Sequence, residues 1–292
     1  MSEPLQIGVA TCAAAPDLDE DGPLLLSSLT AAGAQVSVGR WDDADVPWDS
    51  FGVVLIRSTW DYPLRRQAFL GWTGRCRRTA NPRDVVAWNT DKRYLDDLAA
   101  AGVPTVPTVF VDPGGPVRRP ATGWTDLVIK PAVSGSAADT GRFGDLQDPG
   151  ATALMDRLHR QNRTVMVQPY LDGIDADGEV SLVFLGAQYS HAVRRAPLLL
   201  EQGERSAVVV ADVLDTVAPA QPSEAEFAVA AAALAAVPGG GERLTYARVD
   251  IIPGPDGPVL LELEATDCFL FLSFASAGSR SRLGRHLLGS LS

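Results

Sequence analysis

Tyr246-Ala-Arg-Val-Asp-Ile-Ile252 and Pro258-Val-Leu-Leu-Glu-Leu-Glu264, separated by Gly254-Pro-Asp-Gly257, decide how this chain folds. Both runs are rich in apolar and β-branched residues, and the Gly/Pro/Asp spacer is a turn signal, so a hairpin is expected. Alternate side chains of a strand share a face. Arg248 and Asp250 therefore point together, flanked by Val249 and Ile251, and Glu262 and Glu264 point together, flanked by Leu261 and Leu263. Three carboxylates and a guanidinium on an apolar hairpin are either a solvated face with an ordinary Arg–Asp pair or a cation site. Alternate carboxylates lie roughly 6–7 Å apart, and desolvated like charges at that range need a cation between them. Hard oxygen ligands suit Mg²⁺, which keeps its other positions for water and phosphate oxygens.

Upstream of this hairpin, Ser223–Ala236 reads as a helix, with Ser223 and Glu226 as a capping box and Pro238-Gly-Gly-Gly241 as the stop. Glu179–Leu185 and Ala187–Arg194 form another hairpin turning near Gly186, and Thr164–Leu171 is a buried strand leaving into a turn at Asp172-Gly173. Asp148–Asn162 contains a helix on Leu154 and Leu158. Leu127-Val-Ile-Lys-Pro-Ala132 is a short strand on which Lys130 shares a face with Val128. Ser134-Gly-Ser-Ala-Ala-Asp-Thr-Gly-Arg142 follows directly, small and flexible enough to close backbone N–H groups over an anion.

Further upstream, the chain is expected to turn helical at Thr90, as N-cap, and to stop at Gly102, which puts Lys92 in the first turn, where a helix favours anions. Val103–Val111 is extended by its prolines, and Asp112–Pro120 is a connector rich in Pro and Gly. The strands Leu5–Ala10, Ala34–Val38 and Gly52–Ile56, with a helix over Pro23–Gly33, predict an N-terminal α/β unit with an open parallel sheet. Arg57-Ser-Thr-Trp-Asp-Tyr62 follows its last strand, where such sheets collect ligands, or else packs Trp60 and Tyr62 on the core. The resulting division is 1–80, 81–115 as linker and central helix, 116–178 and 179–292, and Ser279–Leu291 is a terminal helix.

The 292 residues carry a formal charge of −11, which argues against a nucleic-acid partner. No apolar run is long enough for a bilayer, Met1-Ser-Glu-Pro is no signal peptide, and three scattered cysteines fit a reducing cytoplasm. Of 25 basic residues only Lys92 and Lys130 are lysines. Where arginine is the default, a lysine is either a solvated surface residue or the mark of a site needing a compact point charge. There is no Gly-x-Gly-x-x-Gly after the first strand, no Walker loop and no Gly-x-Ser-x-Gly, which speaks against a dinucleotide oxidoreductase and a serine hydrolase.

Taken in order, the lysine at a helix start, the lysine strand with its loop, the buried strand and the carboxylate hairpin resemble the ATP-grasp superfamily. The likeness runs from about Asn81 to Leu272. Trp88-Asn-Thr-Asp-Lys92, Gly178-Glu-Val-Ser-Leu-Val-Phe184, Ser190-His-Ala-Val-Arg194 and Leu261-Glu-Leu-Glu264 are similar to a narrower actinomycete group that includes the O-ureido-D-serine cyclo-ligase of D-cycloserine biosynthesis. The resemblance implies an α/β ATP-grasp fold and an ADP-forming ligase joining a carboxylate to an amine, with ATP and two Mg²⁺ ions. It implies a small amino-acid-like substrate, ring closure or an intermolecular amine, and a homodimer. A non-catalytic nucleotide-binding module is the alternative.

The same resemblance implies the site. Lys92 and Lys130 grip the ATP phosphates, under a loop containing Ser134, Gly135 and Ser136. Met166, Val167, Gln168, Pro169, Tyr170 and Leu171 form the adenine hinge, with Asp172 or Glu179 at the ribose. Asp250 and Glu262 hold metal, with Glu264 standing where relatives carry Asn. Arg248 contacts the acyl phosphate. Ser181, His191, Arg194 and Arg195 line the acceptor side, and Arg194 and Arg195 point to opposite faces, so one of them at most enters the cleft.

Overall fold

The computed structural model describes residues 4–115, 124–135, 137–199, 202–205 and 214–289. Among the described residues there are three sheets. Strands β1 (Gln6–Thr11), β2 (Gln35–Arg40), β3 (Val53–Ile56) and β4 (Thr79–Ala80) are parallel, in the order β2-β1-β3-β4, with helices α1 (Gly22–Ala31) and α2 (Arg66–Thr73). β3 is a continuous apolar run because both of its faces are covered. Val53 and Leu55 pack with Leu25 and Leu29 of α1, whereas Val54 and Ile56 pack with Trp41, Trp48, Phe69 and Trp72.

The second sheet is antiparallel, in the order β11-β7-β6-β8-β5. Its strands are β5 (Val109–Val111), β6 (Leu127–Pro131), β7 (Thr140–Phe143), β8 (Val165–Pro169) and β11 (Gly203–Arg205). The segment expected to be a linker thus supplies β5: its prolines hold it extended, and Val109–Val111 then pairs with β8 as an edge strand. Helices α3 (Arg83–Asn89) and α4 (Tyr94–Ala100) precede this sheet in the chain, and α5 (Pro149–Arg160), between β7 and β8, backs it. Asp148 caps α5 by accepting the Gly150 amide at 2.7 Å, and Leu154 and Leu158 bury against Ile129 and Val167.

The third sheet, also antiparallel, has the order β12-β10-β9-β13-β14. It comprises β9 (Glu179–Leu185), β10 (Gln188–Arg195), β12 (Ala218–Pro219), β13 (Tyr246–Gly254) and β14 (Gly257–Glu264). A short helix α6 (Gly173–Asp177) leads into it, and helices α7 (Glu224–Ala235) and α8 (Ala277–Gly289) pack around it. The Ser223–Glu226 capping box of α7 forms as expected. Among the described residues no helix is long and apolar enough to cross a membrane.

The two faces of this sheet place the site. Val180, Leu182, Ala247, Val249 and Ile251 pack under α4 and α7. On the opposite face Val183, Leu185 and Tyr246 pack against the first sheet's unit and α8, and the hydroxyl of Tyr246 reaches the carbonyls of Ile56, Ala80 and Thr266. Farther along that same face stand Glu179, Ser181, Arg248 and Asp250, beyond the reach of the apolar packing.

The region around Lys92 differs from the sequence expectation. Thr90 is the C-cap of α3, and α4 starts only at Tyr94 with Arg93 as its N-cap, so Lys92 lies in the turn between two helices. Tertiary hydrogen bonds outweigh the helical pattern here. The Lys92 amide donates to the Ala132 carbonyl at 2.8 Å, and the Asn89 side chain is taken by the free edge of β14. Asn89 donates to the Leu263 carbonyl at 2.7 Å and accepts from the Ala265 amide at 2.8 Å. The Leu263 amide donates to the Tyr94 hydroxyl at 3.0 Å. Asn89→Ala leaves two buried backbone groups of β14 unpaired and is expected to lower stability by about 2–4 kcal/mol, read as an earlier urea midpoint with unchanged m-value.

Candidate active site

The hairpin pairs as its sequence suggests, with Asp250 opposite Glu262 and Arg248 opposite Glu264. One difference follows from a bulge after Asp250: Ile251 pairs with Leu260, so Leu261 is the extra residue. Leu261 consequently turns to the cavity wall alongside Glu262, while Leu260 and Leu263 are fully buried.

The charged groups interlock. Arg248 donates from Nε to Asp250 Oδ1 at 2.8 Å and from Nη1 to the Phe269 carbonyl at 2.9 Å, and its Nη2 lies 2.9 Å from Glu264 Oε1. Ser181 donates to Asp250 Oδ1 at 2.7 Å, and Arg195 Nη2 lies 3.2 Å from Asp250 Oδ2 while also pairing with Glu179. Lys92 Nζ sits 2.8 Å from Glu262 Oε1 and donates to the Ser134 carbonyl at 3.2 Å.

Burial and charge compete at each carboxylate. At Asp250 burial pushes the pKa up, but the guanidiniums of Arg248 and Arg195 win and hold it at about 2. At Glu262 burial is likewise overcome, by Lys92 and Lys130, and the carboxyl stays below its usual range. At Glu264 burial prevails over Arg248 and lifts the group to about 8. Burial also lifts Glu179 to about 7 against the pull of Arg195. Lys130 is pulled down to about 8, first by burial, with Glu262 opposing and Lys92 reinforcing. An additional cation among these carboxylates would relieve the groups that burial holds protonated.

All of this borders one cavity of about 260 Å³. Lys92, Lys130, Ser134 and Gly135 meet there with Glu179, Arg195, Arg248, Asp250, Glu262 and Glu264. The chain from Gln168 to Leu171 forms another part of the wall, whereas Met166 and Val167 lie inside β8 between two partner strands. The Gln168 side chain is held by Thr108 at 2.9 Å, and the Tyr170 amide donates to the Asp126 carbonyl at 2.8 Å. Asp172 is exposed, next to α6 and away from the cavity, so of the two acids considered for the ribose, Glu179 is the one on the wall. Ser136 lies outside the described residues.

Two residues expected on the acceptor side, His191 and Arg194, are not among those lining the cavity. His191 donates from Nε2 to the Leu270 carbonyl at 3.0 Å and accepts at Nδ1 from Ser190 at 2.8 Å, with burial lowering its pKa. It supports the 270 loop from behind. Arg194 turns away to the Asp177 carbonyl, and Arg195 is the one that enters the cavity. Sequence reasoning left that choice open because alternation alone does not say which face is inward. Arg195→Ala is expected to lower kcat/KM for ADP release about 10- to 100-fold by leaving Glu179 and Asp250 short of a partner. Arg194→Ala is expected to stay within about twofold in the same assay. Asp267 and Phe269, just past β14, also reach the cavity, though nothing in their sequence context marked them.

Asp250, Glu262 and Glu264 each present an oxygen within 4.8 Å of the others, a hard-donor set that fits Mg²⁺. The RimK domain ATP-grasp protein from Sphaerobacter thermophilus has the same fold, with a TM-score of 0.68 at 17% identity over 97% of this chain and 100% of that one. The fold is that of the ATP-grasp ligases, a class that joins carboxylate to amine using ATP. The N-terminal domain family of D-cycloserine synthetase DcsG matches residues 7–82. Over 287 residues the chain is 33% identical to the cycloserine biosynthesis protein DcsG of Streptomyces lavendulae, spanning 94% of this chain and 95% of that protein. The crystal structure of D-cycloserine synthetase DcsG superposes with a TM-score of 0.88 at 33% identity, over 98% of this chain and 100% of that one. The chain belongs to the DcsG family of ATP-grasp ligases.

Proposed function

We propose that this enzyme phosphorylates the carboxylate of a small amino-acid-like substrate and then forms a C–N bond, releasing ADP and phosphate. The observation that carries this is the meeting, in one cavity, of both lysines, the Ser134–Gly135 turn and three carboxylates braced by Arg248. Lys92 and Lys130 hold the nucleotide phosphates, and Gln168, Pro169, Tyr170, Leu171 and Glu179 face its base and ribose. Asp250, Glu262 and Glu264 would hold Mg²⁺, two ions in this proposal, which would supply positive charge against that developing on the transferred group.

The chain's own groups do the rest. Arg248 has three protein partners before any substrate arrives, so its remaining donor capacity is aimed without reorganisation at the oxyanion of the tetrahedral intermediate. Such a contact is typically worth about 3–4 kcal/mol. Gly135 comes up against Pro63 at the edge of the cavity, and that close approach helps exclude the water that would hydrolyse an acyl phosphate.

The name of the 33% identical relative favours an amine within the same molecule, hence ring closure. The test is ADP release over D- and L-amino acids and ureido and aminooxy analogues, with mass spectrometry of the products. A cyclic product lighter than its substrate supports ring closure, a heavier coupled product indicates an intermolecular amine, and no Mg-ATP binding at all removes the ligase assignment.

A further inference from the structure

The cavity has an end that phosphate chemistry does not use. Beyond Glu264 the chain leaves β14, and Thr266, Asp267, Phe269 and Phe271 form the wall there, facing Trp60 and Tyr62 from the first sheet's unit. Asp267 Oδ2 accepts a hydrogen bond from the Thr59 hydroxyl at 3.0 Å, which fixes the carboxylate while the residue stays partly open to the cavity.

The charges behind this end do not balance. Arg57, 1% exposed, lies 3.5 Å from Asp19 and 3.5 Å from Asp21, and donates to the Cys268 carbonyl. Asp21 is further occupied by the amides of Leu270 and Leu272, at 2.7 and 2.6 Å. Three carboxylates, Asp19, Asp21 and Asp267, thus share one guanidinium, and that guanidinium sits against the first two. Burial lifts Asp267 to about 6, with Arg57 only partly opposing. Tyr62 lines the same cavity, and burial first, then Asp267, Glu264 and Glu262, push its phenol well above its ordinary range. A cation here would gain the Asp267 carboxylate, in a charge-assisted hydrogen bond.

We propose that Asp267, oriented by Thr59, binds the protonated amino group of the substrate, so that the enzyme takes free amino acids or their side-chain derivatives as zwitterions. This rests on the ligase assignment above, with the substrate carboxylate directed at Arg248 and the amino group at Asp267. Compounds with the carboxylate but no ammonium would leave the Asp267 carboxylate without a counter-charge, which is how a polar site rejects them.

The experiment compares three forms of each D- and L-amino acid and each ureido or aminooxy analogue: the free amine, the N-acetyl derivative and the desamino compound. ADP release should come from free amines alone. Asp267→Asn should raise KM for them about 30-fold or more, with a smaller fall in kcat. Thr59→Val, which keeps the charge and loosens it, should shift KM the same way by about 3- to 10-fold. Mg-ATP affinity of both variants, measured by calorimetry, should stay within about twofold of wild type, which also reports that they are folded. Turnover of desamino or N-acetyl compounds at wild-type efficiency, or an unchanged KM in Asp267→Asn with Mg-ATP bound normally, overturns the proposal and leaves the ligase assignment standing. Absence of Mg-ATP binding by the wild-type protein overturns the assignment beneath it.

Discussion

Asp250→Asn is expected to lower the rate of ADP release by about 10²- to 10³-fold. Two guanidiniums converge on Asp250, those of Arg248 and Arg195, and the Ser181 hydroxyl also donates to its carboxylate. The two guanidiniums keep it ionised in a buried position, and the change to Asn removes one full charge from the proposed metal-binding cluster. The fold should survive, because Glu264 still pairs with Arg248 and Glu179 still pairs with Arg195. A stability loss of about 3 kcal/mol is nevertheless expected from the uncompensated positive charge. Thermal unfolding separates that loss from the catalytic one, and nucleotide binding measured without Mg²⁺ should persist. A variant that unfolds normally and releases ADP at the wild-type rate would show that Asp250 holds no metal.

The second large effect belongs to Lys130. Lys130→Ala is expected to weaken nucleotide binding by about 10- to 100-fold without unfolding the protein. Lys130 has less local support than Lys92, whose amine is already paired with Glu262 and the Ser134 carbonyl, so phosphate is its natural counter-charge. The sign of the pH dependence follows from its position. Burial brings the amine from 10.5 down to about 8, so below that value it carries its charge and above it the charge is lost. Bound phosphate raises the pKa again. Wild-type affinity for the nucleotide should therefore be highest below about pH 8 and fall as pH rises through it. The same decline should be missing in Lys130→Ala, and equal slopes in both proteins would place the titrating group elsewhere.

Much of the architecture was legible because strand alternation is local. Val249 and Ile251 face the core and Arg248 and Asp250 the cavity, as their alternation implies, and the short apolar run Val53–Ile56 is a parallel strand covered on both sides. Lys130 could be placed from its own neighbours, since Pro131 keeps it extended and the loop follows at once. What could not be read depends on partners distant in sequence. Lys92 leaves its helix because Ala132 takes its amide and the β14 edge takes Asn89. The bulge that turns Leu261 inward is a property of the pairing between two strands. Arg195 rather than Arg194 enters the cavity, and only the packing of the sheet against the first unit decides that. Asp267 gains its place from Thr59, a contact across 208 positions of sequence.

Attack of the substrate carboxylate on the terminal phosphate of ATP is tested most directly by supplying a turned-over substrate whose carboxylate carries ¹⁸O and analysing the products by mass spectrometry. An acyl phosphate must leave one carboxylate oxygen on the released phosphate, so the label should appear in inorganic phosphate, with ADP as the other product. Label found in AMP, or phosphate free of label despite product formation, would contradict it.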